Sequence, residues 1–166
     1  MMKIIVSNLA EGEHKYEFKE TVEYLELVDL KAKDGINVYV TLDKSDMQIH
    51  TIIKVSSVLI FPCDRCTDDY DFALDTEFDV VFKYSKNDVE LKSTDNDNIF
   101  FISPETNTID LKNVVRENIL ISLPMRHVPE ENDGICSFCK KDINEILRIE
   151  TKQELNPVWN KLLNKN

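Results

Sequence analysis

Tyr70-Asp71-Phe72-Ala73-Leu74-Asp75-Thr76-Glu77-Phe78-Asp79-Val80-Val81-Phe82-Lys83-Tyr84 alternates apolar and polar side chains almost without a break. Tyr70, Phe72, Leu74, Phe78, Val80, Phe82 and Tyr84 fall on one face; Asp71, Asp75, Glu77, Asp79 and Lys83 fall on the other. Successive side chains of a strand point to opposite sides, so this period of two predicts a strand. One apolar and one acidic face predict an antiparallel sheet with one side in water. Upstream, residues 47–61 are rich in Ile, Val, Thr and Ser and read as a second long strand. Pro62, Cys63-Asp64-Arg65-Cys66 and Thr67-Asp68-Asp69 separate the two. The pair therefore reads as a hairpin carrying Cys63 and Cys66 at its tip.

Working outward, residues 36–42 form a further strand after an Asp34-Gly35 turn, and residues 3–9 and 15–19 read as two more strands around Glu11-Gly12. Residues 21–30 fit a short helix or a turn. Residues 85–98, SKNDVELKSTDNDN, have the composition of a locally disordered acidic loop, and residues 98–103 fit a short strand. The period then changes. Asp110 can cap a helix over residues 111–123, with Leu111, Val114, Val115, Asn118, Ile121 and Ser122 on one face and Pro124 as the stop. Residues 125–145 read as a loop holding His127 and a second cysteine pair. Asn156-Pro157 opens a last short helix with Trp159, Leu162 and Leu163. The expectation is one α+β domain over residues 1–166. An antiparallel β-rich body with long hairpins (about 1–103) precedes a helix, a cysteine loop and a short C-terminal helix (about 104–166).

The 166 residues carry a net charge of −11. Residues 1–109 hold 11 Lys+Arg against 22 Asp+Glu, and residues 110–166 hold 9 against 9, so all the excess acid lies in the first two-thirds. Such a surface repels phosphate backbones and either suits a basic protein or only keeps the chain in solution. Asp71, Asp75, Glu77 and Asp79 are the candidate contacts for that partner. RNA is expected to meet the neutral C-terminal third near Arg126, Lys140, Lys141 and Arg148. No apolar run reaches the roughly 18 residues of a membrane span, and the first residues lack a secretory pattern, which predicts a cytoplasmic protein without a membrane partner.

The four cysteines read Cys63-x-x-Cys66 and Cys136-x-x-Cys139, with 69 residues between the pairs. In a reducing compartment permanent disulfides are not expected. Two C-x-x-C turns can converge on one zinc ion as a tetrahedral four-cysteine site. They can also serve thiol–disulfide chemistry, in which one thiolate attacks and the other resolves, or be unmetallated structural cysteines. The doubled pair, outside any helix N-terminus of a βαβ unit, favours metal. No phosphate loop, nucleophile elbow or H-E-x-x-H helix occurs, and there are only 3 glycines. His14, His50 and His127 are scattered, with His127 a conceivable extra ligand. No enzyme and no small-molecule substrate are expected.

These residues resemble a known family. Cys63-Asp64-Arg65-Cys66 on a long hairpin looks like the C-x-R-C signature of the YceD family, the large ribosomal RNA subunit accumulation proteins. Ile109-Asp110-Leu111 followed by Glu117 to Pro124 is similar to its I-D-L … E-x-I-x-L-x-L-P block. Residues 133–144, DGICSFCKKDIN, are similar to its G-L-C-x-x-C-G-x-x-L-N segment, with Lys140 where a glycine often stands. Asn156-Pro157-Val158-Trp159 sits where a D-P-R-W-like element closes the pattern, with Val158 for arginine. The resemblance implies a factor needed for large-subunit ribosomal RNA to accumulate or be processed. It implies possible metal and nucleic-acid binding and no catalytic residues. The implied partners are the ribosomal RNA precursor or a basic ribosomal protein of the large subunit. The other reading is a cytoplasmic redox or metal-handling protein using its two C-x-x-C pairs.

Overall fold

A computed structural model describes residues 1–86 and 98–146 of the chain. The last predicted helix, Arg148 and most of the predicted acidic loop lie outside the described residues.

In chain order the strands are β1 (Lys3–Ile5), β2 (Gly12–Glu20), β3 (Lys31–Ala32), β4 (Ile36–Lys44), β5 (Gln48–Pro62), β6 (Asp69–Tyr84), β7 (Ile99–Ile102) and β8 (Thr108–Asp110). Helix α1 (Lys112–Ser122), strands β9 (Glu131–Asn132) and β10 (Ile135–Cys136) and the one-turn α2 (Ile143–Ile146) follow. The main sheet runs β2-β4-β5-β6-β7, with β3 beside the far end of β5. Strands β5 and β6 pair antiparallel from Gln48↔Lys83 to Pro62↔Asp69, so residues 63–68 form the tip. At roughly 3.3 Å per residue this hairpin is about 50 Å long. It carries the first cysteine pair far from the β4–β5 turn.

One face of the sheet is the core. Ile36, Val38, Val40 and Leu42 of β4, Ile49, Ile53, Val55 and Leu59 of β5, and Leu74, Val80 and Phe82 of β6 are all buried. The alternating residues of β6 face water, as the period of two predicts. Over the core lie Ile4, Leu25, Leu27, Ile109 and the inner side of α1. Residues 21–30 are turns rather than a helix. The Leu27 amide bonds to Val22 O at 3.0 Å, and Glu26 and Asp29 take left-handed φ angles of 53° and 67°, which end any regular helix while burying Leu25 and Leu27.

Two expectations need correction. The strand expected over residues 3–9 is only three residues long, β1, and pairs with β8 in a separate two-stranded sheet, Ile4 opposite Ile109. The β-rich body is antiparallel apart from one parallel pair, β6 with β7. The buried face of α1 is Val114, Val115 and Ile119, continuing from Leu111, whereas Ile121 is 80% exposed. Six residues beyond Val115, Ile121 has turned to the far side of a 3.6-residue helix. Asp110, at the end of β8, accepts the Lys112 amide hydrogen at 3.0 Å, while the N-cap position itself is Leu111, which has no side-chain cap.

Candidate metal centre

The two cysteine turns share one backbone design. At the hairpin tip the Cys63 amide donates to Asp68 O at 2.9 Å, and the Thr67 amide returns to Cys63 O at 2.8 Å. In the second turn the Cys136 amide donates to Lys141 O at 3.1 Å, and the Lys140 amide returns to Cys136 O at 3.0 Å. The offsets are the same, five and four residues beyond the first cysteine. In each turn the residue after the second cysteine is left-handed, Thr67 at φ 62° and Lys140 at φ 60°.

The second turn is not the plain loop the sequence suggested. β9 and β10 form a small antiparallel hairpin, Cys136 opposite Glu131, joined by Asp133 (φ 51°) and Gly134 (φ 77°). Two consecutive left-handed residues make the tight turn that an Asp-Gly pair favours. That dipeptide was the available signal. The Ile143 amide closes the unit on Gly134 O at 2.8 Å.

Side chains from the first turn reach the second turn and its approach. The Asp64 carboxylate accepts the His127 amide at 2.7 Å while the Asp64 amide donates to His127 O at 2.8 Å. The His127 ring stacks on Phe61 at 4.1 Å, so it serves packing and stands outside the cluster of ligand atoms. Arg65 lies 2.8 Å from Glu131 by distance, without the alignment of a hydrogen bond. Asp68 and Lys141, equivalent positions of the two turns, form an ion pair at 3.1 Å. Reading the sequence for cysteines alone missed Asp68, although opposite charges at the same offset from each pair point to it.

One thiol from each turn meets at this junction, those of Cys66 and Cys139. Cys66 interacts with the thiols of Cys63 and Cys139, and Cys136 with that of Cys139. The sulfurs of Cys66 and Cys139 and a carboxylate oxygen of Asp68 lie within 4.8 Å of one another. This group can hold a metal ion; Cys63 neighbours it through Cys66 and Cys136 through Cys139, and neither is one of its three ligand atoms. Burial pushes the Cys66 thiol up to about 12, helped by the neighbouring Cys139 and Cys63 thiols and opposed by the Asp68 amide. Cys136 is shifted downward because the Cys139 amide donates to its sulfur, which outweighs burial. The Arg65 guanidinium adds to the amide donors in holding Cys136 down.

The positive φ angles give a first prediction. Left-handed backbone costs a non-glycine residue roughly 1 kcal/mol. Lys140→Gly is therefore expected to raise stability by about 0.5–1 kcal/mol, read as a higher melting temperature, after allowing for the looser unfolded chain.

The remaining predicted contacts are placed as follows. Asp71, Asp75, Glu77 and Asp79 line the exposed face of β6. Two of them are met by cations, Lys33 on Asp71 at 2.7 Å and Lys54 near Asp75 at 3.9 Å, and the His50 ring lies beside Asp79 at 3.4 Å. Arg126 and Lys140 are exposed, and Lys141 is engaged with Asp68. Among the described residues no helix is long and apolar enough to cross a membrane.

A family model described as "Large ribosomal RNA subunit accumulation protein YceD" matches residues 52–164. The chain is similar to the "Uncharacterized protein YlbN" of Bacillus subtilis (strain 168), 27% identical over 150 residues, covering 86% of this chain and 83% of that protein. No solved structure matches the chain. The family match spans more than half of the chain and takes in both cysteine turns, much of the long hairpin and α1; the chain belongs to the YceD family.

Proposed function

We propose that this chain is a non-enzymatic factor supporting the accumulation of large-subunit ribosomal RNA, built around one zinc ion held by Cys63, Cys66, Cys136 and Cys139. The observation that carries the metal reading is the repeated turn. Two backbone units with the same hydrogen bonds and a left-handed residue at the same position place the Cys66 and Cys139 sulfurs within 4.8 Å of each other and of an Asp68 oxygen, and in this reading Cys63 and Cys136 complete the ligand set. The ribosomal reading rests on the family, whose matched segment includes those turns. In this reading zinc is structural and ties the hairpin tip to the segment after α1. Asp68 offers an oxygen at the same place, but its ion pair with Lys141 gives the carboxylate another partner.

Redox use of the same cysteines is less well supported. A reactive thiol needs both a depressed pKa and access. Cys66, partly accessible, is pushed the other way, and Cys136, with the depressed pKa, is fully buried.

The exposed acidic row of β6 is the docking face for a basic ribosomal protein, and Arg126, Lys140 and Lys141 are the contacts for precursor RNA. Asp75→Lys/Glu77→Lys/Asp79→Lys is expected to weaken capture of large-subunit proteins by about tenfold at low salt while leaving the fold intact. The loss should shrink as salt screens the surface. Capture from lysate, followed by identification of bound proteins and RNA, reads this out. Depletion of the chain should lower large-subunit RNA relative to small-subunit RNA. An unchanged ratio would refute the ribosomal role.

A further inference from the structure

Strand β2 is one edge of the main sheet and, among the described residues, pairs with β4 alone. Its water-facing side chains are Glu13, Lys15, Glu17 and Lys19, alternating in sign. Their neighbours across β4 are Asp43, Thr41, Tyr39 and Asn37, so β4 supplies no opposite charge to any of them. Lys15 and Glu13 meet each other along the strand at 2.9 Å. On the inner side, Tyr16 and Phe18 stack with centroids 6.4 Å apart and are only partly buried, because the sheet ends there.

The charge order inverts its sign about Tyr16. We propose that β2 is a self-association edge, where a second copy adds antiparallel about a two-fold axis at Tyr16. Paired residue numbers then sum to 32. Glu13 faces Lys19 of the second copy and Lys15 faces its Glu17, and the symmetry repeats both, giving four opposite-charge pairs across the edge. On the inner side Tyr16 meets Tyr16 and His14 meets Phe18, which covers the half-buried aromatic pair. A slip by two residues in either direction sets Lys15 against Lys15 or Glu17 against Glu17. A slip by one turns the faces over. An edge charged only to prevent aggregation needs no such sign inversion. The joined sheet keeps both cysteine turns outside the contact.

The test uses the full chain in sedimentation velocity, at low salt and concentrations up to about 1 mM, where weak contacts are populated. The wild type should show a reversible dimer. Lys15→Glu/Lys19→Glu and Glu13→Lys/Glu17→Lys each replace every attraction by a repulsion, and each alone should associate at least about tenfold more weakly. An equimolar mixture of the two should form a one-to-one pair. The fourfold inversion, Glu13→Lys/Lys15→Glu/Glu17→Lys/Lys19→Glu, keeps the sign inversion and should dimerise like the wild type. The altered side chains face water, so melting temperatures taken at low concentration, where every variant is monomeric, should shift by no more than the loss of one exposed ion pair, Lys15 with Glu13. A monomeric wild type over the whole range, association that survives both double variants, or a mixture that fails to pair would each overturn the proposal.

Discussion

Cys66→Ser and Cys139→Ser are each expected to abolish zinc retention and to lower the unfolding free energy by at least about 3 kcal/mol, because structural metal binding is folding free energy. The two variants remove one ligand from opposite turns. Either loss cuts the link between the hairpin tip and the segment beyond α1, reopening a loop of 69 residues. The polar clasp that remains, Asp64 on His127, Asp68 on Lys141 and Arg65 near Glu131, is mostly exposed and too weak to replace the link. Adding a chelator should bring the wild type down to the stability of the variants and leave the variants unmoved. Thermal melts with and without chelator check this; equal melting temperatures for wild type and both variants would contradict it. Acidification should act like the chelator, since protons compete with the metal for the thiolates.

Ile119→Ala is expected to destabilise the chain by about 2–5 kcal/mol by a route independent of metal. Ile119 is fully buried on the inner side of α1, beside Val115 and over the main sheet. Truncating it leaves a cavity that flanking β-structure cannot collapse into, because β8 fixes the start of the helix through its pairing with β1. Zinc content per folded chain should stay at the wild-type value. Ile121→Ala, two residues on and 80% exposed, should change stability by less than about 0.5 kcal/mol. Denaturant melts of the two variants make the comparison, and equal losses would place the wrong face of α1 on the core.

The long hairpin was legible because its signal is local. Fifteen residues from Tyr70 to Tyr84 repeat one pattern, and the cysteine pair sits between two such runs. Which strands meet was less legible wherever the partner is distant. Residues 3–5 carry no mark that they pair with residues 108–110, since three residues offer too little pattern to specify a register. Helix α1 was placed within about a residue at each end through Asp110 and Pro124. Its face was misjudged at Ile121 because apolar residues 119–121 occur together, and only the packing of the sheet decides which of them turn inward. The spacing of the cysteines indicated two like turns. It could not indicate that Asp64, Arg65 and Asp68 reach across to His127, Glu131 and Lys141, because those contacts depend on where α1 delivers the chain.

X-ray absorption at the zinc edge, with the metal quantified on full-length protein purified without chelator, tests the central claim most directly. The account predicts one zinc per chain surrounded by four sulfurs at about 2.3 Å. A metal-free chain whose thiols react freely in the native state, or a zinc shell with an Asp68 oxygen in place of a sulfur, would contradict it.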